Sequence, residues 1–245
     1  MIDKPGGMTS HDVVNRLRRL TGEQSIGHLG TLDPMATGVL PLLLGKFTRL
    51  AQYFSTAEKS YTGTIRFGFA TNTYDAEGEQ VGEFVEPALT LEQVRRMAAR
   101  FHGVMEQMPP QFSAKKVSGT PAYKLAREGK AVELKKARIE IMEFTITALD
   151  GSEAGFTVRI SAGGYVRSVA HDLGQDLGCS AHLTSLRRTQ AGVFTLADAH
   201  TLGELEKLVG NVEALEMRCV HPRTLLQEMP AVSGDDYVLG RLRNG

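Results

Sequence analysis

The segment from Gly27 to Gly45, GHLGTLDPMATGVLPLLLG, decides how this chain is interpreted. Its first half is a polar loop of Gly, Thr and Pro that holds His28 and Asp33, and its apolar second half predicts one buried strand. A lone Asp in such a loop is commonly a turn former, because its side chain bonds its own backbone. Here two ionisable side chains share a loop whose glycines allow another molecule to approach the backbone. We therefore take Asp33 as a candidate catalytic residue.

The composition excludes several functional classes. The chain has 245 residues, of which 42 % are hydrophobic and 23 % charged, and no apolar run approaches the roughly 18 residues of a membrane span. Its opening residues do not form a secretory signal, so we expect a cytoplasmic protein. Cys179 and Cys219 give neither a disulfide framework nor a metal-ligand spacing. No phosphate-binding glycine motif is present, which argues against a nucleotide cofactor.

Charge is unevenly distributed along a chain whose formal net charge is zero. Residues 109–138 contain eight Lys and Arg against two Glu, whereas residues 75–92 contain six carboxylates and no Lys or Arg. A basic segment of this kind suits contact with phosphate, and it equally suits a solvated helix and loop surface. Charge alone leaves both interpretations open.

Hydrophobic periodicity predicts an α+β fold. A helix should begin with Ser10 as its N-cap and end at Gly22, and a second should follow Thr90. Strands and helices alternate too irregularly for a doubly wound sheet, so we expect a mixed, mainly antiparallel sheet flanked by helices and loops. The expected strands are 60–69, 138–149 and 155–162, with 77–84 as a partner strand, and the further helical segments are 47–54, 120–129, a segment from about 165 to 177, and 202–210.

The segment around Asp33 resembles the catalytic motif of the TruB family of tRNA pseudouridine synthases, G-H-x-G-x-L-D-P-x-A-x-G. Other segments resemble that family in the same order: DKPGGMTSHD near the N-terminus, KSY at 59–61, TNTYDAEG at 71–78, and AHLTSLRR at 181–188. PPQFSAKKVSGTPAYKLAREG resembles the family's inserted thumb, and SAGGYVRSVAHDLG resembles its motif around the catalytic arginine. The resemblance implies the pseudouridine synthase fold with a thumb insertion.

The resemblance also implies roles for individual residues. Asp33 would be the catalytic carboxylate, Arg167 would pair with it, and Tyr61 would stack on the flipped uracil and assist removal of the C5 proton. The reaction involves no redox change and no group transfer, so no cofactor and no metal are expected. The substrate-binding residues that the resemblance implies, besides Tyr61, are His28, Tyr165, Leu186, Lys4, Lys115, Lys116, Lys124 and Arg127.

His28 and the thumb are expected to contact RNA. In the family the histidine contacts the T-loop and stands where the base has been flipped out, which replaces stacking lost on extrusion. The basic residues of the thumb, residues 109–138, would then meet backbone phosphates of the tRNA T-arm stem-loop. Lys135 and Lys136 also suit a solvated strand end. We expect tRNA as the partner, no membrane contact and a monomeric enzyme.

The chain departs from the family pattern in the motif around Arg167 and at its ends. Gly164 stands where the family usually has Thr before Tyr165. Residues 1–225 are expected to form the catalytic domain, and residues 226–245 resemble the opening of a C-terminal PUA-type domain, either its remnant or its start. Family members usually carry several apolar residues before DKP, whereas this sequence has Met1 and Ile2 there.

Three functions agree with these motifs. The first is a stand-alone enzyme that converts uridine 55 in the tRNA T-loop to pseudouridine. The second is an RNA-binding or tRNA-folding factor without catalysis, against which Asp33, Tyr61 and Arg167 count. The third is the guide-RNA-dependent subunit of related archaeal and eukaryotic enzymes, against which the full thumb insertion counts.

Overall fold

A computed structural model describes residues 1–113, 115–117, 119–122, 125, 134–226, 229, 235 and 240–241. The strands are β1 (Ile2–Lys4), β2 (Ile26–His28), β3 (Thr37–Leu40), β4 (Leu42–Leu44), β5 (Lys59–Phe67), β6 (Ala70–Thr71), β7 (Gln80–Val81), β8 (Gly103–Gln107), β9 (Lys116–Val117), β10 (Thr120–Pro121), β11 (Ala137–Asp150), β12 (Glu153–Ile160), β13 (Ala181–Ala191) and β14 (Phe194–Thr195). The helices are α1 (Ser10–Thr21), α2 (Ala51–Phe54), α3 (Leu91–Ala98), α4 (Val166–Asp176), α5 (Leu202–Glu206), α6 (Val212–Glu216) and α7 (Pro222–Leu225), with 3₁₀ turns at Gly45–Leu50, Ala99–Phe101 and Leu196–Asp198.

The main sheet has eight strands in the order β1-β3-β13-β5-β12-β11-β8, and β14 pairs with β13. Its neighbouring strands are antiparallel except β3 and β13, which are parallel. The prediction of a mixed, mainly antiparallel α+β sheet is confirmed. Strand β13, from the second half of the chain, lies between β3 and β5. It therefore joins the strand that follows the Asp33 loop to the strand that carries Tyr61.

Three helices share the hydrophobic core with the main sheet. Apolar residues of α1, α3 and α4 share a single buried cluster with the inward residues of β5, β12 and β13. In β5 the predicted alternation is confirmed, because Tyr61, Ile65 and Phe67 are buried while Arg66 is exposed. This arrangement presents the first turn of α4, and therefore Arg167, to the same side as Tyr61.

Helix α1 begins one residue earlier than predicted. Thr9, and not Ser10, is the N-cap: its hydroxyl accepts from the backbone N–H of Asp12, whose carboxylate accepts from Thr9 in return. The predicted end is confirmed, since Gly22 adopts φ 74° after the last turn. Ser10 is thereby freed for a tertiary contact at the site.

The apolar run after Asp33 is not the single strand that was predicted. It divides at Pro41 into β3, which joins the main sheet, and β4, which pairs with β2. Proline lacks a backbone N–H and cannot continue a ladder, which explains the division. The next segment, predicted as one helix over 47–54, is a 3₁₀ turn followed by the short helix α2.

The remaining predicted elements are mostly confirmed. Strands β11 and β12 and helices α3, α4 and α5 lie where the periodicity placed them. The predicted strand at 77–84 is shorter, since only β7 forms there, and it pairs with β6 rather than with β5. The helix predicted over 120–129 falls largely outside the described residues, and its first two residues form β10 instead.

Candidate active site

The loop that carries Asp33 is closed at its base by the β2–β4 pair. His28 lies opposite Leu42 in this pair, and the backbone N–H of Leu29 donates to the carbonyl of Pro41 at 3.0 Å. Ser10 fixes the loop next to the carboxylate: its hydroxyl donates to the Leu32 carbonyl at 3.2 Å and accepts from the Leu32 N–H at 2.9 Å. The residue before Asp33 is therefore hydrogen-bonded on both backbone groups.

Lys4 supports the same loop from inside the protein. Its side chain is 0 % exposed, and its ammonium donates to the carbonyls of Pro5, Met8 and Pro34 at 2.9, 2.6 and 3.1 Å. Burial lowers the pKa of Lys4 to about 8. The sequence predicted an RNA contact for Lys4; in this structure its ammonium instead holds the backbone of Pro34, which follows Asp33.

Asp33 forms a two-point ion pair with Arg167. Nε of Arg167 lies 2.8 Å from Oδ2 of Asp33, and Nη2 donates to Oδ1 at 3.0 Å. The Arg167 side chain is 5 % exposed, whereas Asp33 keeps 31 % of its side chain accessible. A bidentate guanidinium fixes both the charge and the direction of a carboxylate. The pairing expected from the family motif is thus present in the fold.

Arg167 is itself held by a second carboxylate. Its Nη1 donates to the Thr73 carbonyl at 2.8 Å and lies 3.5 Å from Oδ2 of the buried Asp75. Its Nη2 also donates to the Phe112 carbonyl at 2.9 Å. Asp75 was not among the predicted site residues, although it stands in the quoted segment TNTYDAEG.

Burial and the charge of Arg167 shift the pKa of Asp33 in opposite directions. Burial raises the pKa of its carboxyl, the Arg167 guanidinium lowers it, and the Asp75 carboxylate raises it further. Burial outweighs the guanidinium, so the pKa of Asp33 lies above its usual value. The bidentate contact with Arg167 opposes that rise and favours the ionised form that attack on a sugar carbon or proton removal would require.

Tyr61 lies on β5 directly opposite Arg188 of β13, and its side chain is buried. Burial raises the pKa of the Tyr61 hydroxyl, and the neighbouring Arg188 opposes that rise. Arg188 is 0 % exposed; its Nε donates to the Val39 carbonyl at 2.7 Å and its Nη2 to the Gly30 carbonyl at 3.1 Å. Arg188 therefore joins Tyr61, β3 and the catalytic loop, and the sequence did not predict it as a site residue.

The Asp33 carboxylate opens into a cleft of about 270 Å³. Tyr61, Tyr165, Arg167 and Leu186 line this cleft together with Asp33, so five of the predicted residues meet there. Lys59 also lines the cleft and was not predicted; its Nζ donates to the Ala57 carbonyl at 2.8 Å, and burial lowers its pKa.

The backbone of Tyr165 is fixed by one buried side chain. Gln107, at the end of β8, donates from Nε2 to the Tyr165 carbonyl at 3.0 Å and accepts at Oε1 from the Tyr165 N–H at 2.8 Å. Gly164 precedes it, and a Cβ at Gly164 would come 2.4 Å from Cδ1 of Ile160. The glycine at this departure from the family pattern therefore suits the packing of this chain.

Besides Lys4, the structure describes three of the five residues predicted to contact RNA outside the cleft lining, namely His28, Lys115 and Lys116. His28 is half-buried at the end of β2, and burial lowers the pKa of its imidazole. Lys115 donates from Nζ to the Lys135 carbonyl at 2.9 Å. The backbone of Lys116 pairs within β9 and β10. Lys124 and Arg127 lie outside the described residues.

The described residues contain neither a candidate metal cluster nor a candidate membrane span. Within those ranges no group of three or more His, Cys, Asp or Glu is placed to hold a metal ion. Over the same part of the chain, no helix has the length and apolar character needed to cross a membrane.

Two family models match consecutive parts of the chain. Residues 18–166 match the model described as TruB family pseudouridylate synthase (N terminal domain), and residues 167–228 match the tRNA pseudouridylate synthase B C-terminal domain. The boundary between them falls inside α4, immediately before Arg167. The ion pair between Asp33 and Arg167 therefore joins the two matched parts.

Curated relatives and solved structures agree with these matches. A tRNA pseudouridine synthase B of Solibacter usitatus is 48 % identical over 245 residues, which is 100 % of this chain and 83 % of the relative. One of Thermobifida fusca is 48 % identical over 213 residues, covering 84 % of this chain and 73 % of the relative. The crystal structure of a Cbf5-Nop10-Gar1 complex contains a similar chain with 28 % identity and a TM-score of 0.67; the match covers 84 % of this chain and 52 % of that chain.

Proposed function

Because the chain belongs to the TruB family of pseudouridylate synthases, we propose that it isomerises uridine 55 in the T-loop of tRNA to pseudouridine. One observation carries this proposal most directly: the Asp33 carboxylate is aimed into a cleft by two contacts with Arg167, and Tyr61 lines the same cleft. These are the groups that the reaction needs.

The reaction breaks the bond between N1 of uracil and C1′ of ribose and forms a bond from C5 to C1′. The proton lost from C5 balances the proton gained at N1, so the product is an isomer and no cofactor is consumed. Asp33 acts as the carboxylate of this rearrangement, by attack at C1′, by addition to the base or by removal of a sugar proton. Each of these routes starts from the ionised form that Arg167 stabilises.

The uracil is proposed to leave the RNA stack and enter the cleft. Tyr61 stacks on the flipped base and assists removal of the C5 proton, while Tyr165 and Leu186 line the rest of the pocket. His28 contacts the T-loop at the position that the base has left, which offsets the few kcal/mol of stacking lost on extrusion. Recognition of a splayed loop base explains selectivity for a structured RNA.

The thumb, residues 109–138, is proposed to contact backbone phosphates. Lys115, Lys116, Lys124 and Arg127 supply its positive charge, so binding should weaken as salt concentration rises. Residues 1–225 are proposed as the catalytic domain and residues 226–245 as part of a PUA-type domain. A monomeric state and a cytoplasmic location stay predictions from the sequence.

The alternative functions have less support. The curated relatives are 44 to 48 % identical and are named tRNA pseudouridine synthase B, whereas the chain in the Cbf5 complex is 28 % identical. Asp33, Tyr61 and Arg167 are all in place, which argues against a factor that only binds RNA.

The test is incubation of the protein with unmodified T-arm RNA, without guide RNA or cofactor, followed by mapping of pseudouridine. We expect product at the position equivalent to uridine 55. Asp33→Asn should abolish product while RNA binding stays within about tenfold, or ~1.4 kcal/mol. If RNA binds and no product forms, the enzymatic proposal is wrong.

Asp3→Asn is a matched control, because Asp3 also pairs with an arginine, Arg187, at 2.7 Å. That pair lies outside the cleft lining, and 41 % of the Arg187 side chain is exposed. Asp3→Asn should keep its activity. A loss of RNA binding in Asp33→Asn as large as its loss of rate would instead indicate a structural role for Asp33.

A further inference from the structure

Tyr74 and His171 form a ring stack beside the residues that hold Arg167. Their ring centroids are 3.8 Å apart and their planes differ by 12°. Tyr74 belongs to the loop between β6 and β7, whereas His171 lies on α4, four residues after Arg167. The stack therefore joins that loop to the helix that carries the catalytic arginine.

The backbone of Tyr74 adopts an unfavourable conformation. Its φ is 65°, in the left-handed region that residues with a Cβ rarely occupy. On either side of this turn, the Thr73 carbonyl accepts from Nη1 of Arg167 at 2.8 Å, and Oδ2 of Asp75 lies 3.5 Å from the same nitrogen. The turn at Tyr74 thus presents two acceptors to one guanidinium nitrogen.

His171 contributes a ring rather than a hydrogen bond. Its Nδ1 is buried and has no hydrogen-bond partner in the described part of the chain. Side chains four residues apart lie on the same face of a helix, so the His171 ring and the Arg167 guanidinium project from neighbouring turns of α4. Burial lowers the pKa of His171, which favours the neutral imidazole.

We propose that the Tyr74–His171 stack is a positioning clamp: it holds the Thr73–Asp75 turn against Arg167 and thereby fixes the direction in which Arg167 aims Asp33. A strained backbone conformation persists only when its surroundings hold it, and the stack supplies such a contact on the helix that carries Arg167. The inference rests on the proposed function, because it concerns the geometry of that same site. Neither ring touches the substrate in this scheme.

The test uses variants that separate the ring from the backbone. Tyr74→Gly deletes the ring and still permits the left-handed turn. His171→Ala deletes the other ring, while Tyr74→Phe and His171→Phe keep a stacked pair. We expect each ring deletion to lower the single-turnover rate constant at saturating T-arm RNA by about tenfold, because a small misdirection of catalytic groups is costly. The Kd for the RNA should stay within about twofold, and the phenylalanine variants should retain the wild-type rate.

A double variant and a control complete the experiment. Tyr74→Gly combined with His171→Ala should be no slower than either single variant, because both remove the same contact. Phe84→Ala is the control: Phe84 is 50 % exposed and its ring lies 6.4 Å from that of Phe69. It should leave the rate unchanged.

If the wild type is active, three results would overturn the clamp. The first is a wild-type rate constant in both ring deletions, and the second is an equal loss of rate in His171→Ala and His171→Phe. The third is a double variant whose loss of rate is the product of the two single losses. Thermal unfolding of each variant separates misfolding from misdirection, and His171→Ala provides a second ring deletion if Tyr74→Gly does not fold. A wild-type protein that forms no pseudouridine would overturn the proposed function, and the clamp with it.

Discussion

Two buried arginines hold the catalytic loop through different partners. Arg167 binds the carboxylates of Asp33 and Asp75 in addition to the Thr73 and Phe112 carbonyls, whereas Arg188 donates to the carbonyls of Val39 and Gly30. A guanidinium paired with a carboxylate sets the charge and direction of a reacting group. A guanidinium paired with carbonyls mainly fixes backbone.

Lys4, like Arg188, is a buried cation that pairs with backbone carbonyls. Its ammonium binds three carbonyls, one of them from Pro34 beside Asp33. Arg167 therefore sets the charge and direction of the reacting carboxylate, whereas Arg188 and Lys4 support the backbone of the loop around it. We expect substitutions at Arg167 to lower the rate as well as the stability, and substitutions at Arg188 and Lys4 to change mainly the stability.

The largest effect is expected for Arg167→Lys. Lysine keeps the positive charge but cannot make the two parallel contacts with Asp33, so the single-turnover rate at saturating RNA should fall by about 100-fold. Since the Thr73 and Phe112 carbonyls and the Asp75 carboxylate lose donors as well, the Tm should also fall, and the rate is measured under conditions in which thermal unfolding shows the variant to be folded. A rate close to that of the wild type would show that the two-point contact is not needed.

Arg188→Lys should lower the stability with a much smaller change in the rate. A lysine at this position cannot reach the Val39 and Gly30 carbonyls together, and leaving one of them unpaired should cost about 2 kcal/mol of unfolding free energy. We expect the rate at saturating RNA to stay within about fivefold, measured beside urea unfolding of both proteins. If the rate falls as far as in Arg167→Lys while stability is unchanged, the distinction between the two arginines is wrong.

The smallest effect is a pH dependence carried by Lys4. Its pKa in the folded protein is lowered from 10.5 to about 8, so above that pH the unfolded chain binds the proton and the folded chain does not. Stability contributed by this group therefore rises with pH in that window and is constant below it. Relative to Lys4→Met, the unfolding free energy of the wild type should increase by about 1 kcal/mol between pH 8 and pH 9. Chemical denaturation at both pH values tests this, and a difference that falls or stays flat contradicts it.

Local signals in the sequence predicted several element ends correctly. Thr90 caps α3 and Gly22 follows α1, because capping and left-handed glycines depend on a few adjacent residues. The prediction failed at Ser10, where Thr9 and Ser10 are both good caps. Asp12 favours Thr9, because it is the third residue after Thr9 and closes a capping box with it, and Ser10 bonds Leu32 of the catalytic loop instead.

The strand after Asp33 illustrates a second limit. The apolar pattern correctly predicts buried strand, but hydrophobicity alone does not indicate that its two halves enter different sheets. Pro41 was the available signal, since proline cannot continue a ladder. The partners of β3 and β4 depend on chain segments that are far away in sequence.

Sequence reasoning found the reacting groups through the family motifs and missed their supports. Asp75, Gln107 and Arg188 are buried polar residues whose roles follow from contacts across the fold. Two of them stood in segments already quoted for the resemblance, TNTYDAEG and AHLTSLRR. Residue type alone did not distinguish these three residues from polar side chains on the solvated surface.

The small β2–β4 sheet has a consequence for the thermodynamics of RNA recognition. Because β2 and β4 close the base of the loop, and Ser10 bonds Leu32 inside it, the loop loses its conformational entropy when the protein folds. The loop is then preorganised before RNA arrives, and little ordering of this segment remains for the binding step. The entropy of association should accordingly report the rearrangement of the RNA, above all the unstacking of the base that enters the cleft.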